Sequence, residues 1–158
     1  MEVLDNIPVI LDHEKVLKRL RIRKPSESVK KAVRELVEVV RPVAKPKAIY
    51  EVSYVDNKNG DSLSIGGIKF TSRILRVNLD KVGRVFPYVV TCGRGLDEIT
   101  APSSDFMRCY YLDTIKEMVL RSASDYLKDY IKRSYALSQL SSMSPGSLDD
   151  WPILRLLV

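Results

Sequence analysis

Thr91-Cys92-Gly93-Arg94-Gly95-Leu96-Asp97 follows a run of β-forming residues. Its two glycines would let the backbone turn sharply and approach a ligand. No third glycine follows three residues later, so the dinucleotide fingerprint is incomplete; a tight turn from strand to helix explains the same residues. Cys92 stands close to Arg94, a cation that could lower a thiol pKa, although a small buried residue is the plainer role. Cys109 reads as packing on a helix. The only histidine, His13, lies in Asp12-His13-Glu14. Consecutive residues do not face one another on a helix, so this is a poor metal site and a good helix start. One histidine excludes any site needing two imidazoles and argues against a histidine-rich hydrolase, while carboxylate and Cys–His chemistry stay open; no catalytic or metal-ligating residue is singled out.

Two further segments could recognise a ligand or partner. Lys18, Arg19, Arg21, Arg23 and Lys24 crowd one short stretch and could meet phosphates or an acidic protein face. A solvated helix C-terminus, where cations are favoured, is the plainer explanation. Ser141 to Pro152 is a Ser-rich loop holding the only tryptophan, Trp151. Pro145-Gly146 forces a turn, and Pro152 stiffens Asp150-Trp151. Such a loop either presents backbone N–H and C=O groups to a ligand or anchors the chain through its tryptophan.

The elements that must position these segments follow from period and punctuation. Asp12 caps a basic helix to about Arg23, with Val16, Leu17 and Leu20 on its apolar side. Pro25 stops it. Ser26 or Ser28 opens a second helix, which Pro42 closes, with Val29, Val33, Leu36, Val37 and Val40 at helical spacing. Residues 48–55 read as one strand, 56–61 as a turn, and Leu63-Ser64-Ile65 as the returning strand of a hairpin. Ile68 to Phe70 extends this β region, Ile74 to Val82 fits helix or strand, and Phe86 to Thr91 reads as a buried strand. Pro102-Ser103-Ser104 caps a helix of roughly Asp105 to Tyr135, with Leu112, Ile115, Val119, Ala123, Tyr126, Leu127, Tyr130 and Ile131 on its core face. The expected class is α+β: two N-terminal helices, a mainly antiparallel sheet and a long helix packed on it.

The sequence has 158 residues, 45% of them apolar and 29% charged, which is a globular composition. One domain over 1–158 is expected, with no repeat and no linker. No run of about 18 apolar residues suggests a membrane helix, and the first residues lack the basic n-region of a secretory signal. Two cysteines make neither a disulfide framework nor a four-cysteine zinc site. A cytoplasmic protein is expected. The net charge of +6 is the sole pointer to nucleic acid, and no RNA- or DNA-binding motif accompanies it.

The order of these segments resembles the activation domain of cobalamin-dependent methionine synthase, and more closely the stand-alone bacterial and archaeal proteins related to it. The resemblance rests on Ser144, Pro145 and Gly146, followed by Asp150, Trp151 and Pro152, after a long helix with a basic, Tyr-containing end. The basic first helix, the amphipathic second helix, the 48–55 strand, Val89-Val90-Thr91-Cys92-Gly93 with Leu96-Asp97, and Asp113 on the long helix fit the same order. It covers most of the chain.

The resemblance implies a part in methionine biosynthesis. In that family a corrinoid cobalt that has slipped to the inactive cob(II) state is remethylated, with S-adenosylmethionine as methyl donor and a flavodoxin-like protein as electron donor. A stand-alone member would serve a corrinoid-carrying methyltransferase or methionine synthase in trans, the cobalamin staying on that partner. Ser144, Pro145, Gly146 and Ser147 would then line the S-adenosylmethionine site, with Tyr135 and Trp151 as its aromatic wall. The alternative is a docking module of the same fold that meets an acidic partner through Lys18–Lys24.

This chain departs from the family at definite positions. Where the methionine synthase loop reads Arg-x-Ala-Pro-Gly-Tyr, it has Ser142, Met143, Ser144, Pro145, Gly146 and Ser147. Losing an arginine that pairs with the ligand carboxylate would cost about 2–3 kcal/mol unless Lys132, Arg133 or Arg155 replaces it. Arg121 falls near a family glutamate. Related stand-alone proteins continue into a cysteine-containing tail, whereas this sequence ends in Ile153-Leu154-Arg155-Leu156-Leu157-Val158, an apolar end expected to pack on something.

Overall fold

A computed structural model describes residues 1–151, so Pro152, Arg155 and the apolar end lie outside the described residues. Among those residues are four α-helices, seven strands and one 3-10 turn. The class is α+β, with antiparallel sheets and a long C-terminal helix packed on the sheet. The chain forms two compact units, each discontinuous in sequence. One combines Val3–Ile49 with Val89–Ala136; the other combines Met1–Glu2, Tyr50–Tyr88 and the segment from Leu137.

The first unit is mainly helical. Helix α1 (His13–Arg19) starts at Asp12, whose carboxylate accepts the Glu14 N–H at 3.0 Å. It ends a turn earlier than expected, because Arg21 adopts a left-handed conformation (φ 57°) that no helix continues through. Helix α2 (Glu27–Val43) is capped by Ser26, and Pro42 sits in its last turn. Helix α4 (Phe106–Ser134) is capped by the Asp105 carboxylate, not by Ser103 or Ser104, and at 29 residues is about 44 Å long. Val16, Leu17, Val33, Leu36, Val37, Val40, Leu112, Ile115 and Val119 form one core where the first half of α4 meets α1 and α2. Each fully buried aliphatic residue there contributes about 1.5–3 kcal/mol. Ala123, Leu127 and Ile131 continue the buried stripe, while Tyr126 and Tyr130 are only half-buried, at the margin of the face assigned to them.

A three-stranded sheet has the order β1 (Glu2–Leu4), β2 (Lys47–Tyr50), β7 (Tyr88–Thr91). Lys45 N–H donates to Cys92 O at one end of the β2–β7 pair and Glu51 N–H to Pro87 O at the other, which is antiparallel pairing. The expected buried strand over 86–91 is corrected on two counts. Pro87 separates β6 (Arg84–Val85) from β7, and Tyr88, Val89 and Thr91 are exposed. Continuous apolarity signalled burial, but the stretch ends up on the rim of its sheet.

The second unit is built on a four-stranded sheet ordered β5 (Ile68–Thr71), β4 (Ser62–Ile65), β3 (Ser53–Asn59), β6, all antiparallel. The single strand expected over 48–55 is two strands in two different sheets, broken at Glu51-Val52. The hairpin after it holds, with the turn moved to Gly60-Asp61 because β3 runs on to Asn59. Gly66 and Gly67 (φ 56° and 82°) make the next tight turn. The ambiguous 74–82 stretch opens as helix α3 (Arg73–Asn78). Leu63, Leu75 and Leu79 form this unit's core, with Phe70, Met143, Leu148 and Trp151 against it.

Candidate functional site

The Ser144–Trp151 loop is a preformed turn. Gly146 holds φ 82°, the left-handed region that favours glycine, and its N–H donates to Trp151 O at 2.7 Å. Ser147 N–H donates to Ser144 O at 2.9 Å. The Ser147 hydroxyl accepts the Ser144 N–H at 3.0 Å and donates to the Ser144 carbonyl. A short bridge pairs Leu148 with Trp151, whose N–H donates to Leu148 O at 3.1 Å.

Asp150 fastens this turn to α3. One carboxylate oxygen accepts the Ser72 hydroxyl at 2.6 Å and the other the Ile74 N–H at 3.1 Å. Ser72 is itself the N-cap of α3, its Oγ accepting the buried Leu75 N–H at 2.9 Å. The hydroxyl bond from Ser72, helped by the Ile74 and Arg73 N–H groups, holds Asp150 below the ordinary carboxylate range. It is therefore a fixed acceptor, unsuited to proton transfer near neutral pH. Trp151 is half-buried and meets Phe70 edge-on, ring centroids 6.0 Å apart at 89°. Met143 Sδ accepts the Asn78 side-chain N–H at 3.3 Å.

Of the residues singled out in the loop, Ser144, Pro145, Gly146, Ser147 and Trp151 therefore form one local structure. Ser142, Ser144, Gly146 and Ser147 are exposed. Tyr135 belongs to the helical unit, where it is the C-cap residue of α4. Lys132 and Arg133 lie on the last turn of that helix, and Arg133 Nε donates to Asp129 O at 3.2 Å. Arg121 donates to Glu117 at 2.9 Å, and Arg19 donates to the same carboxylate at 2.7 Å. Sequence reasoning missed Ser72. A serine before an apolar helical stretch is a capping signal, but its second partner lies 78 residues away and no local pattern shows it.

The basic segment forms the end of α1 and the turn after it. Arg19 is paired with Glu117, while Lys18, Arg21, Arg23 and Lys24 are exposed and, among the described residues, make no ion pair. Leu20 is buried and Ile22 packs on the core, so the cations project from a firmly held backbone.

Thr91–Asp97 is a strand-to-helix turn. Gly93 has φ 88° and leads into the 3-10 turn Arg94–Leu96. A Cβ at Gly93 would lie 3.0 Å from Lys45 O, and one at Gly95 2.7 Å from Val43 Cγ1. Both glycines let this turn lie against the end of α2. The Cys92 thiol is pushed up, first by burial and then by Asp97, which reverses the activation suggested by Arg94. Cys109 Sγ points at the carbonyls of Ala101 and Pro102. His13 stands 3.7 Å from Asp12 and 3.4 Å from Glu14, and among the described residues no three potential ligands converge on a metal position. No described helix is long and apolar enough to cross a membrane. No family model matches this chain, and no curated protein matches it.

Proposed function

We propose that this chain is an accessory protein of the methionine synthase activation-domain type, acting in the cytoplasm. It would help return an oxidised corrinoid on a partner methyltransferase or methionine synthase to the methylated state, with S-adenosylmethionine as methyl donor and a flavodoxin-like electron donor. The observation that carries this reading is the preformed Ser144–Trp151 turn, clamped to α3 by Asp150. Such a task depends on positioning, and a rigid loop loses little freedom when a ligand settles on it. The N–H groups of Ser144, Gly146 and Ser147 are used within the loop, which leaves the exposed Ser144 hydroxyl and the Gly146 and Ser147 carbonyls for the polar groups of an amino-acid moiety, and the Trp151 ring offers an aromatic surface. The fit is incomplete for a carboxylate, since the neutral, exposed Ser142 stands where a cation would serve best. Weak binding follows. Titration with S-adenosylmethionine, read by heat and by Trp151 fluorescence, should give one-to-one saturation near or below millimolar, and Gly146→Val should weaken it. A folded protein that shows no saturation loses this role.

A second reading is favoured by two observations. The Ser147 hydroxyl is already committed to Ser144, and four cations around the end of α1 are exposed and without ion pairs among the described residues. On this reading the protein docks on an acidic, corrinoid-carrying protein without using S-adenosylmethionine. Association with such a partner should fall steeply with salt and be lost in Lys18→Glu/Arg23→Glu.

A further inference from the structure

We infer that the cleft between the end of α2 and the Gly93–Gly95 turn binds a small phosphorylated molecule. The cleft is open to solvent on one side and has a volume of about 470 Å³, room for a small phosphate ester. Every charged residue on its wall is a cation: Lys45, Lys47 and Arg94. Among the described residues neither Lys45 nor Arg94 makes an ion pair. Lys47 pairs with Asp5 at 3.3 Å, but both side chains are more than half exposed, so this contact contributes little and a dianion can compete with it.

The backbone explains why these charges converge. With side chains at 93 and 95, the turn would collide with Lys45 O and Val43 Cγ1. Glycine at both lets it sit flush on the α2 end, so Arg94 and Lys45 share one cleft. The remaining wall, Pro42 and Val43, is apolar. A planar guanidinium with five donors beside two ammonium groups matches the oxygens of a phosphate monoester, and the apolar wall suits a compact organic body. The site lies wholly in the helical unit and is independent of the Ser144–Trp151 loop.

The test uses inorganic phosphate and phenyl phosphate as probes, followed by phosphorus NMR and calorimetry at fixed ionic strength. Saturable one-to-one binding is expected, tighter for phenyl phosphate. Lys45→Ala/Arg94→Ala should weaken it at least tenfold, while Lys18→Ala/Arg23→Ala should leave it within twofold. All four side chains are exposed, and circular dichroism checks that each variant is folded. Failure to saturate at tens of millimolar, or equal weakening by both double variants, would overturn the assignment, the latter because net charge alone would explain it.

Discussion

Ser72 is the residue through which helix α3 and the Ser144–Trp151 loop depend on one another, and replacing it by alanine tests that dependence. Its hydroxyl accepts the buried Leu75 N–H and donates to Asp150. Losing a serine N-cap costs about 1 kcal/mol and up to about 2. With a urea slope of about 2 kcal/mol/M, the midpoint at pH 7 should fall by about 0.5 M or more. Trp151 is the only tryptophan and lies in the affected unit, so its fluorescence reports the transition. The pH dependence separates the two bonds. The folded pKa of Asp150 lies below its ordinary value of 3.8, so its contribution is complete above that value and is lost as pH falls through the folded pKa. The gap between wild type and Ser72→Ala should therefore narrow as pH falls below about 4, leaving the share due to the Leu75 cap, and Asp150→Asn should flatten the acid limb. An unmoved midpoint at pH 7, or a gap unchanged at low pH, would refute the argument.

Gly95→Ala, whose Cβ would lie 2.7 Å from Val43 Cγ1, should destabilise the helical unit by about 1–3 kcal/mol, read from the helical circular dichroism transition. Ile115→Ala removes a fully buried side chain from the same unit and should cost about 2–5 kcal/mol on the same measurement. Cys92, with its thiol pKa raised by burial, should alkylate with iodoacetamide more slowly at pH 7 than a free cysteine peptide; labelling as fast as the peptide would return it to the list of reactive thiols.

The helices were legible because their signals are local. Asp12 and Ser26 cap the helices expected of them, and the valine stripe of α2 is buried at Val33, Leu36, Val37 and Val40. The β segments were legible as β but not as to sheet. Residues 48–55 are uniformly strand-forming, yet the break at Glu51-Val52 sends one half to each sheet, a choice made by partners far along the chain. Burial of 86–91 failed for the same reason, since apolar composition says nothing about which strand sits at a rim. In the loop, Pro145-Gly146 announced a turn and Gly146 delivers it. Ser72 and Asp150 could not be paired from sequence, because their interaction is set by tertiary placement. Of the two roles open to Cys92, the plainer one holds: burial and then Asp97 push its thiol pKa up, as suits a small packed residue rather than one activated by Arg94.

The interleaving of the two units bears on how the chain comes off the ribosome. Residues 50–88 are made early, but Met143, Leu148 and Trp151, which complete their core, are among the last described residues to emerge. Leu63, Leu75 and Leu79 can meet early, but the apolar surface that Met143, Leu148 and Trp151 cover stays open while the whole of α4 is synthesised. α1 and α2 must likewise wait for Leu112, Ile115 and Val119. Both cores thus close late and over long sequence separations, which slows folding and prolongs exposure of apolar surface. Co-expression with a chaperone, or slower synthesis at lower temperature, should raise the soluble yield of this protein more than that of a chain whose units are each continuous.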